Sequence, residues 1–237
     1  MSAGIRRLDF RTFGVASAEG TPVPDLDEAA LLDEVVDHLR GGGVIGYPTE
    51  TVYGFGSALS PQGLQRLRGL KRRPDGKPVL ALVEGADSVA ELGWTEAARE
   101  LARAFWPGAV TLILPDPAEC FPAGVRGDDG TVAIRQTSHP LAAALVKGLG
   151  APLTSTSANL PGQPPATDGA AVIQTLIDSG PAGQGVWVMD AGPLQASAPS
   201  TLIDCSSEPP RVVRAGATPV DRIRCVIPEL MDASTNV

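Results

Sequence analysis

Apolar residues recur along the chain with two spacings, one typical of helices and the other of buried strands. Residues 27–40 begin with acidic side chains, place apolar residues near helical spacing and end at a run of three glycines. These features predict a helix, because acidic first turns and a glycine after the last turn are typical helix boundaries. Residues 44–47 are short and β-rich, which predicts a buried strand that ends at Pro48.

Predicted helices and strands continue to alternate through the rest of the chain. Further helices are predicted over residues 61–70, 95–105, 140–149 and 169–178. Further strands are predicted over residues 78–83, 110–114, 132–134, 152–156, 185–189, 201–204 and 211–214. This alternation predicts one α/β domain around a mixed, twisted sheet. We expect an irregular leader or edge extension over residues 1–25 and fraying of the chain beyond about Pro228.

Composition narrows the classes of function. A length of 237 residues suits one main α/β domain, and a net charge of -8 disfavours general binding to nucleic-acid backbones, which needs many Lys and Arg residues. The three cysteines and two histidines lack metal-ligand spacing, so neither a disulfide framework nor a metal site is expected. The N-terminal segment lacks secretory-signal features, and no run approaches about 18 apolar residues. We therefore expect a cytoplasmic protein without a membrane span.

Two hydroxyl-rich segments accompany the predicted strands. Residues 48–54, Pro-Thr-Glu-Thr-Val-Tyr-Gly, gather hydroxyls, a carboxylate and a phenol in one turn, where side chains can converge on a ligand. Residues 154–159, Thr-Ser-Thr-Ser-Ala-Asn, offer hydroxyls, an amide and backbone N–H groups suited to phosphate or carboxylate oxygens. Polar turns that bond their own backbone explain both segments about equally well. No Gly-x-Ser-x-Gly is present, so covalent serine catalysis is not expected.

Basic residues are the second group of candidate ligand-binding residues. Residues 71–78, Lys-Arg-Arg-Pro-Asp-Gly-Lys-Pro, concentrate cations in an otherwise acidic chain, as polyphosphate binding requires. A solvated charge run is the other interpretation. The chain has no Gly-x-x-x-x-Gly-Lys-Ser/Thr motif, which disfavours a P-loop mechanism. Arg135 and Arg214 each end a predicted strand, where a guanidinium can bind a carboxylate or a phosphate with two hydrogen bonds.

Taken together, these segments closely resemble the YrdC/TsaC family in order and spacing. The matching motifs are Gly-Val-Ile-Gly-Tyr-Pro-Thr-Glu-Thr-Val-Tyr-Gly at 43–54, Lys-Arg-Arg at 71–73, Phe-Trp-Pro-Gly-Ala-Val-Thr-Leu at 105–112, Val-Ala-Ile-Arg at 132–135, Ser-Thr-Ser-Ala-Asn at 155–159, and Pro-Ser-Thr at 199–201 followed by Arg-Ala-Gly at 214–216. The resemblance implies a YrdC-like catalytic domain over 26–217, whose mixed sheet, flanked by helices, forms an open concave substrate cleft. Residues 218–237 are then a C-terminal extension, disordered in part.

The resemblance also implies an activity, that of a nucleotidyltransferase. Such an enzyme joins L-threonine, bicarbonate and ATP into L-threonylcarbamoyladenylate and releases pyrophosphate, for the threonylcarbamoyladenosine modification of tRNA. The implied partner is a downstream tRNA-modifying threonylcarbamoyl transferase complex, with a weak contact to RNA. Mg²⁺ is implied on the ATP phosphates, since the sequence shows no dedicated carboxylate cage.

Carried over position by position, the resemblance implies neighbouring subsites. The catalytic cations are Lys71 and Arg73. The threonine subsite consists of Thr51, Arg135, Ser155 and Ser200. The ATP subsite consists of Arg73, Lys77, Thr131, Ser157, Asn159 and Arg214.

Two stretches depart from the family pattern. Leu82 stands where some relatives carry a histidine, and Gln-Thr-Ser at 136–138 replaces a Val-Pro-Asp-like stretch, so threonine recognition is expected to be tuned differently. Two other functions stay open. One is a carbamoyl-adenylate made for another acceptor, and the other is a double-stranded-RNA binding module, against which the net charge of -8 argues.

Overall fold

The computed structural model describes residues 4–13, 26–72 and 77–232 of the chain. The helices in this part are α1 (Leu26–Arg40), α2 (Pro61–Lys71), α3 (Glu96–Phe105), α4 (Pro140–Leu149), α5 (Gly169–Asp178) and α6 (Val220–Arg224), with short 3₁₀ turns at Ala86–Val89 and Gly180–Gly183. The strands are β1 (Arg6–Asp9), β2 (Val44–Tyr47), β3 (Gly54–Ser57), β4 (Leu80–Leu82), β5 (Val110–Pro115), β6 (Thr131–Arg135), β7 (Leu153–Ser157), β8 (Trp187–Asp190), β9 (Thr201–Asp204) and β10 (Arg211–Arg214).

Within the described residues the strands form one mixed sheet, in the order β1-β8-β2-β3-β7-β4-β6-β5-β9-β10. The pairs β1/β8, β2/β8, β4/β6 and β5/β9 are parallel, and the other neighbours are antiparallel. Helices pack on the sheet, so the predicted α/β architecture is confirmed. No helix in the described part is long and apolar enough to span a bilayer.

Helices cover one half of the sheet on both faces. Ile45 of β2 packs with α1 and α4, whereas its neighbour Val44 packs with α2 and α5. Since successive side chains of a strand point to opposite faces, these helix pairs lie on opposite sides of the sheet. In the other half, Leu112 of β5 and Ile134 of β6 pack against α3. The opposite face of β5 and β6 is where the cleft described below lies.

Capping side chains fix where the helices begin. The Ser60 hydroxyl accepts a hydrogen bond of 3.1 Å from the backbone of Gly63 at the start of α2, and Asp168 accepts one of 2.8 Å from Ala171 at the start of α5. Such caps satisfy N–H groups that have no partner inside the helix. α4 begins at Pro140 and is followed by Gly150 in the left-handed conformation. Proline is favoured at the first position of a helix and glycine just after its last turn. The bounds predicted for α4 and α5 are the observed ones.

Both ends of the domain differ from the prediction. Arg6–Asp9 form β1 at the edge of the sheet, which agrees with an edge extension and not with an irregular leader, and Leu8 is buried in the cluster around α1 and α4. The prediction failed because a single inward residue between charged neighbours carries little alternating pattern. The C-terminal extension also packs on the domain over its described part, since Ile223 and Leu230 are buried in the cluster around α3. Residues 1–3, 14–25 and 233–237 lie outside the described residues.

Strand β3 (Gly54–Ser57) is absent from the predicted strands. The glycine at 56 is required by packing between strands: a Cβ atom there would lie 2.4 Å from the carbonyl oxygen of Thr154 on β7. Close approach of two backbones is a common reason for glycine within a strand. Strand β3 therefore joins β2 to β7 and brings residues 48–53 to the edge of the cleft.

Candidate functional site

An open cleft of about 450 Å³ lies on the face of β5 and β6 that α3 does not cover. Its floor follows from strand alternation. Ile113 and Ala133 face the cleft, while their neighbours Leu112 and Ile134 face α3. The loop 48–53, the end of β7 and the segment leading into β9 form its walls.

The cleft gathers most of the side chains that the sequence predicted for the site. Those that line it are Thr51, Lys77, Arg135, Ser155, Ser157, Ser200 and Arg214. Lys71, Thr131 and Asn159 are described but do not line it. Arg73 lies outside the described residues. The two hydroxyl-rich segments thus contribute side chains to one surface, as their predicted convergence requires.

Arg135 is the most buried cation of the cleft, with 3% of its side chain exposed. Its Nη1 donates a hydrogen bond to Oε1 of Glu50, and its Nε is buried and has no hydrogen-bond partner among the described residues. The other carboxylate oxygen of Glu50 accepts a bond of 2.6 Å from the hydroxyl of Thr137. Glu50 therefore bridges a buried guanidinium and a buried hydroxyl, and it holds Arg135 with only one oxygen.

The two threonines at 49 and 51 have different tasks. The Thr49 hydroxyl donates to the carbonyl oxygen of Val52 at 2.7 Å and accepts the backbone N–H groups of Thr51 and Val52 at 3.3 Å each. It closes the turn by bonding the local backbone, which is a common task of Thr. The Thr51 hydroxyl lies 3.1 Å from that of Thr49 and faces the cleft. Because Thr49 donates its single proton to Val52, Thr51 is the donor between the two hydroxyls.

Tyr47 supports this end of the cleft from beneath. Its side chain is fully buried, and its hydroxyl donates to the carbonyl oxygen of Thr154 at 3.2 Å. Burial raises the pKa of the Tyr47 phenol well above its usual range. The phenol therefore stays protonated and serves as a donor to β7, next to Ser155.

The opposite wall is built around Ser200. Its hydroxyl lies 2.8 Å from that of Thr111, and its carbonyl oxygen accepts a bond of 2.9 Å from Nη2 of Arg214. Burial, and then the positive charge of Arg135, lower the pKa of the Arg214 guanidinium. A guanidinium still stays charged at neutral pH. Gly216 lets this wall close, since a Cβ atom there would lie 2.2 Å from the carbonyl oxygen of Pro199.

Lys71 braces the loop after β7. Its ammonium donates to the carbonyl oxygen of Ser157 at 2.7 Å and to both oxygens of Asn159, with 2.9 Å to Oδ1. Oδ1 of Asn159 also accepts the Ser157 hydroxyl, and its Nδ2 donates to the carbonyl oxygen of Gln163 at 2.6 Å. These bonds give Lys71 a supporting role for the loop, and its predicted catalytic role stays a prediction. Direct contacts of Lys71 and Asn159 with ATP stay predictions.

Thr131 is the first residue of β6 and does not line the cleft. Its hydroxyl and its backbone N–H both bond Oδ1 of Asp129, at 2.8 and 3.0 Å. The ATP contact predicted for Thr131 stays a prediction.

The sequence prediction missed three polar residues of the site: Glu50, Thr111 and Thr137. Glu50 lies in the segment 48–54, so its carboxylate was visible but its partner was not. Thr137 lies in the stretch 136–138 that departs from the family pattern. The other departure, Leu82, is buried in β4 beside α4 and does not line the cleft. Among the described residues, no group of three or more His, Cys, Asp or Glu side chains is placed to hold a metal ion.

Comparison with known proteins identifies the family. Residues 37–216 match the model of the Sua5/YciO/YrdC family, whose description is "Telomere recombination". The chain belongs to this family. All of the mapped lining of the cleft, from Thr49 to Arg214, falls inside the matched part. The resemblance drawn from the sequence motifs is thereby confirmed.

Several members of the Sua5/YciO/YrdC family are similar to the chain over long stretches. The threonylcarbamoyl-AMP synthase of Bacillus subtilis (strain 168) is 35% identical over 207 residues, which are 86% of this chain and 57% of the relative. That of Xanthomonas campestris pv. campestris (strain B100) is 44% identical over 161 residues, 65% of this chain and 81% of the relative. The structure of Pyrococcus abyssi Sua5 complexed with L-threonine matches with a TM-score of 0.80 and 28% identity, covering 96% of this chain and 62% of that one. The chain thus spans little more than half of some relatives.

Proposed function

We propose that this chain synthesises L-threonylcarbamoyladenylate from L-threonine, bicarbonate and ATP, with release of pyrophosphate. The observation that carries the proposal is a single cleft whose lining combines a buried guanidinium, several hydroxyls and further cations. A zwitterionic amino acid and a triphosphate need these two environments side by side. The names of the Bacillus and Xanthomonas relatives support this activity, and the threonine complex of the Pyrococcus protein supports the amino-acid substrate.

Threonine is proposed to bind at the end of the cleft that holds Arg135. The guanidinium takes the amino-acid carboxylate, because Arg can present paired N–H groups to two carboxylate oxygens. Hydroxyls of Thr51, Ser155 and Ser200 line the same cleft and can bond the polar groups of the amino acid. Such a site discriminates by hydrogen bonding, since an analogue that lacks a polar group leaves a buried partner unpaired.

ATP is proposed to contact Lys77, Ser157 and Arg214 of the cleft lining. Their cations and hydroxyl suit phosphate oxygens. Lys71 contributes by holding the loop that carries Ser157 and Asn159, while Thr131 stands at the flank. Arg73 is proposed to reach the phosphates from the segment between α2 and β4. Mg²⁺ is proposed to arrive with the triphosphate, because the described residues show no carboxylate cluster for it.

The proposed reaction needs positioning and charge neutralisation more than a covalent nucleophile. The uncharged threonine amine forms a C–N bond to the carbon of bicarbonate while a C–O bond of bicarbonate breaks and water leaves, which gives a carbamate. A carbamate oxygen then forms a bond to the α-phosphorus of ATP, and the bond from that phosphorus to the bridging oxygen breaks as pyrophosphate leaves. Arg135 fixes the amino acid and Arg214 faces the developing negative charge. Neither histidine of the chain lines the cleft as a base for a serine.

The product is proposed to pass to a tRNA-modifying threonylcarbamoyl transferase complex in the cytoplasm, with at most a weak contact between this chain and RNA. Incubation of the purified protein with ATP, bicarbonate and L-threonine tests the activity. Mass spectrometry is expected to detect the adenylate only when all three are present. Equal turnover without threonine would indicate another acceptor and reject the proposal. Salt-dependent binding to duplex RNA without adenylate formation would favour an RNA-binding module instead.

A further inference from the structure

Thr137 reaches the proposed threonine subsite through Glu50. Its side chain is buried, with the residue 3% exposed, and its hydroxyl donates to Oε2 of Glu50 at 2.6 Å. Oε1 of the same carboxylate accepts a bond from Nη1 of Arg135. The three side chains therefore form a chain of bonds, Thr137 to Glu50 to Arg135. Only the last of them lines the cleft.

The division of the two Glu50 oxygens decides how much of the Arg135 guanidinium stays available. A carboxylate beside an arginine tends to bind it with both oxygens, through two parallel N–H···O bonds. In this site Glu50 accepts a bond from Arg135 with one oxygen and a bond from Thr137 with the other. Nε of Arg135 is buried and lacks a hydrogen-bond partner within the part of the chain that the structure describes. A second carboxylate oxygen on Arg135 would occupy N–H groups that the substrate carboxylate needs.

We propose that Glu50 and Thr137 are positioning residues, and that the Thr137 hydroxyl keeps Glu50 from competing with the amino acid for Arg135. This inference rests on the proposed function and adds a determinant of threonine affinity to it. Glu50 compensates the buried charge of Arg135 and fixes its orientation, as a buried cation requires. Thr137 restricts Glu50 to a single contact. The stretch 136–138, which the proposed function left unexplained, thereby acquires a task.

Thr137 also has a structural contact, and the test must separate the two. Its hydroxyl accepts the backbone N–H of His139 at 3.2 Å, just before α4 begins. Loss of this contact alone would lower the stability of the protein and would weaken the binding of both substrates to a similar extent. Thr137→Ser keeps the hydroxyl, Thr137→Val removes it at nearly constant volume, and Ser138→Ala changes an exposed hydroxyl of the same stretch.

The experiment measures KM for L-threonine and for ATP in the whole chain and its variants. We expect Thr137→Val to raise the threonine KM about tenfold, since hydrogen bonds to charged groups have effects of this order. The ATP KM is expected to change by less than about twofold, and Thr137→Ser and Ser138→Ala are expected to resemble the wild type. In a Glu50→Gln background, Thr137→Val is expected to shift the threonine KM by less than about twofold, because the competing charge is gone. A tenfold rise in that background, or equal shifts in both KM values, overturns the inference.

Crystal structures of the Val and Ser variants distinguish this inference from the proposed function. In Thr137→Val, both oxygens of Glu50 are expected on Arg135, whereas in Thr137→Ser one oxygen stays on residue 137. This result supports the positioning arrangement even if the wild type forms no adenylate, in which case the proposed function alone falls. A Glu50 carboxylate that keeps its single contact in Thr137→Val overturns the inference whatever the activity.

Discussion

The ammonium nitrogen of Lys71 lies 2.9 Å from Oδ1 of Asn159, so the last residue of α2 is bonded to the loop that follows β7. The same ammonium donates to the carbonyl oxygen of Ser157 at 2.7 Å. Lys71 is buried, with 8% of the residue exposed. Its charge therefore organises the backbone from which Ser157 faces the cleft.

Replacement of Lys71 by Met is expected to loosen this loop. It removes the ammonium donor from partly buried oxygens of Ser157 and Asn159, and each lost hydrogen bond to a charged group costs about 1.5–3 kcal/mol. We expect a lower melting temperature together with a raised ATP KM, measured by thermal unfolding and steady-state kinetics. Lys147→Met, at an exposed position of α4, is the control and is expected to change neither. A Lys71→Met protein with wild-type stability and an abolished chemical step would contradict the supporting role and favour the predicted catalytic one.

The two arginines of the cleft are expected to serve different substrates. Arg135→Ala should raise the threonine KM about a hundredfold with little effect on that for ATP, and Arg214→Ala should do the reverse. Arg211→Ala, an exposed change outside the cleft lining on the same strand as Arg214, is the control. Parallel effects of the two cleft variants on both substrates would reject the assignment of subsites.

Most elements of the fold could be predicted because their patterns are local. Capping residues, glycines and apolar spacing mark α4 and α5 within the sequence itself. β1 could not be recognised, since one buried residue, Leu8, lies between charged neighbours in Arg6–Asp9. β3 could not be recognised either, because Gly56 is required by the close approach of the carbonyl oxygen of Thr154, a residue distant in the sequence.

In the site, too, contacts between residues distant in the sequence could not be predicted from local patterns. Family motifs supplied Arg135 and the hydroxyls around it. The pairing of Arg135 with Glu50 joins residues 85 positions apart, and it depends on the end of β6 meeting the loop between β2 and β3. Likewise, Lys71 carries the charge expected of a phosphate ligand, but only the fold shows that this charge is directed at Asn159. Sequence pattern thus identified the residue types, and the packing of strands assigned their partners.

Gly216 is expected to be intolerant of even a small side chain. A Cβ atom at this position would lie 2.2 Å from the carbonyl oxygen of Pro199, a backbone atom that cannot move without shifting Ser200. Gly216→Ala is therefore expected to lower the free energy of unfolding by about 2 kcal/mol and to impair substrate binding. Gly69→Ala is the matched control, because a Cβ atom within α2 there meets nothing within 4 Å. It should stabilise the protein by up to about 1 kcal/mol, and equal losses in both variants would contradict this account.

The three cysteines are expected to react in two classes. Cys120 and Cys225 are exposed, whereas Cys205 is fully buried beside β9, where burial raises the pKa of its thiol to about 12. Thiol reactivity needs the thiolate and access to it. Ellman's reagent at pH 8 should therefore modify two thiols of the native protein and the third only in denaturant, with a Cys205→Ser variant losing the denaturant-dependent class. Rapid modification of three thiols without denaturant would show that the core around Cys205 opens readily.

Stability is expected to fall on mild acidification because of the two histidines of the chain, His38 and His139. Burial lowers the pKa of both. His38 stacks on Trp187 with ring centroids 4.2 Å apart, and its Nε2 lies 3.2 Å from the carbonyl oxygen of Val44. His139 lies near Glu50, whose charge opposes the effect of burial. In the unfolded chain each imidazole has a pKa of about 6.5.

The sign of this effect follows from proton uptake. Below pH of about 6.5 the unfolded chain binds protons that the folded protein does not, so the free energy of unfolding falls as the pH drops through that value and is level above it. Thermal unfolding at pH 8 and pH 5.5 is the measurement. His38→Gln and His139→Gln together should reduce the loss between these pH values by roughly half or more, since they remove both imidazoles. Comparing the pH-dependent loss, rather than absolute stability, cancels the packing cost of the substitutions. If the double variant loses as much stability as the wild type, carboxylates rather than histidines cause the acid sensitivity.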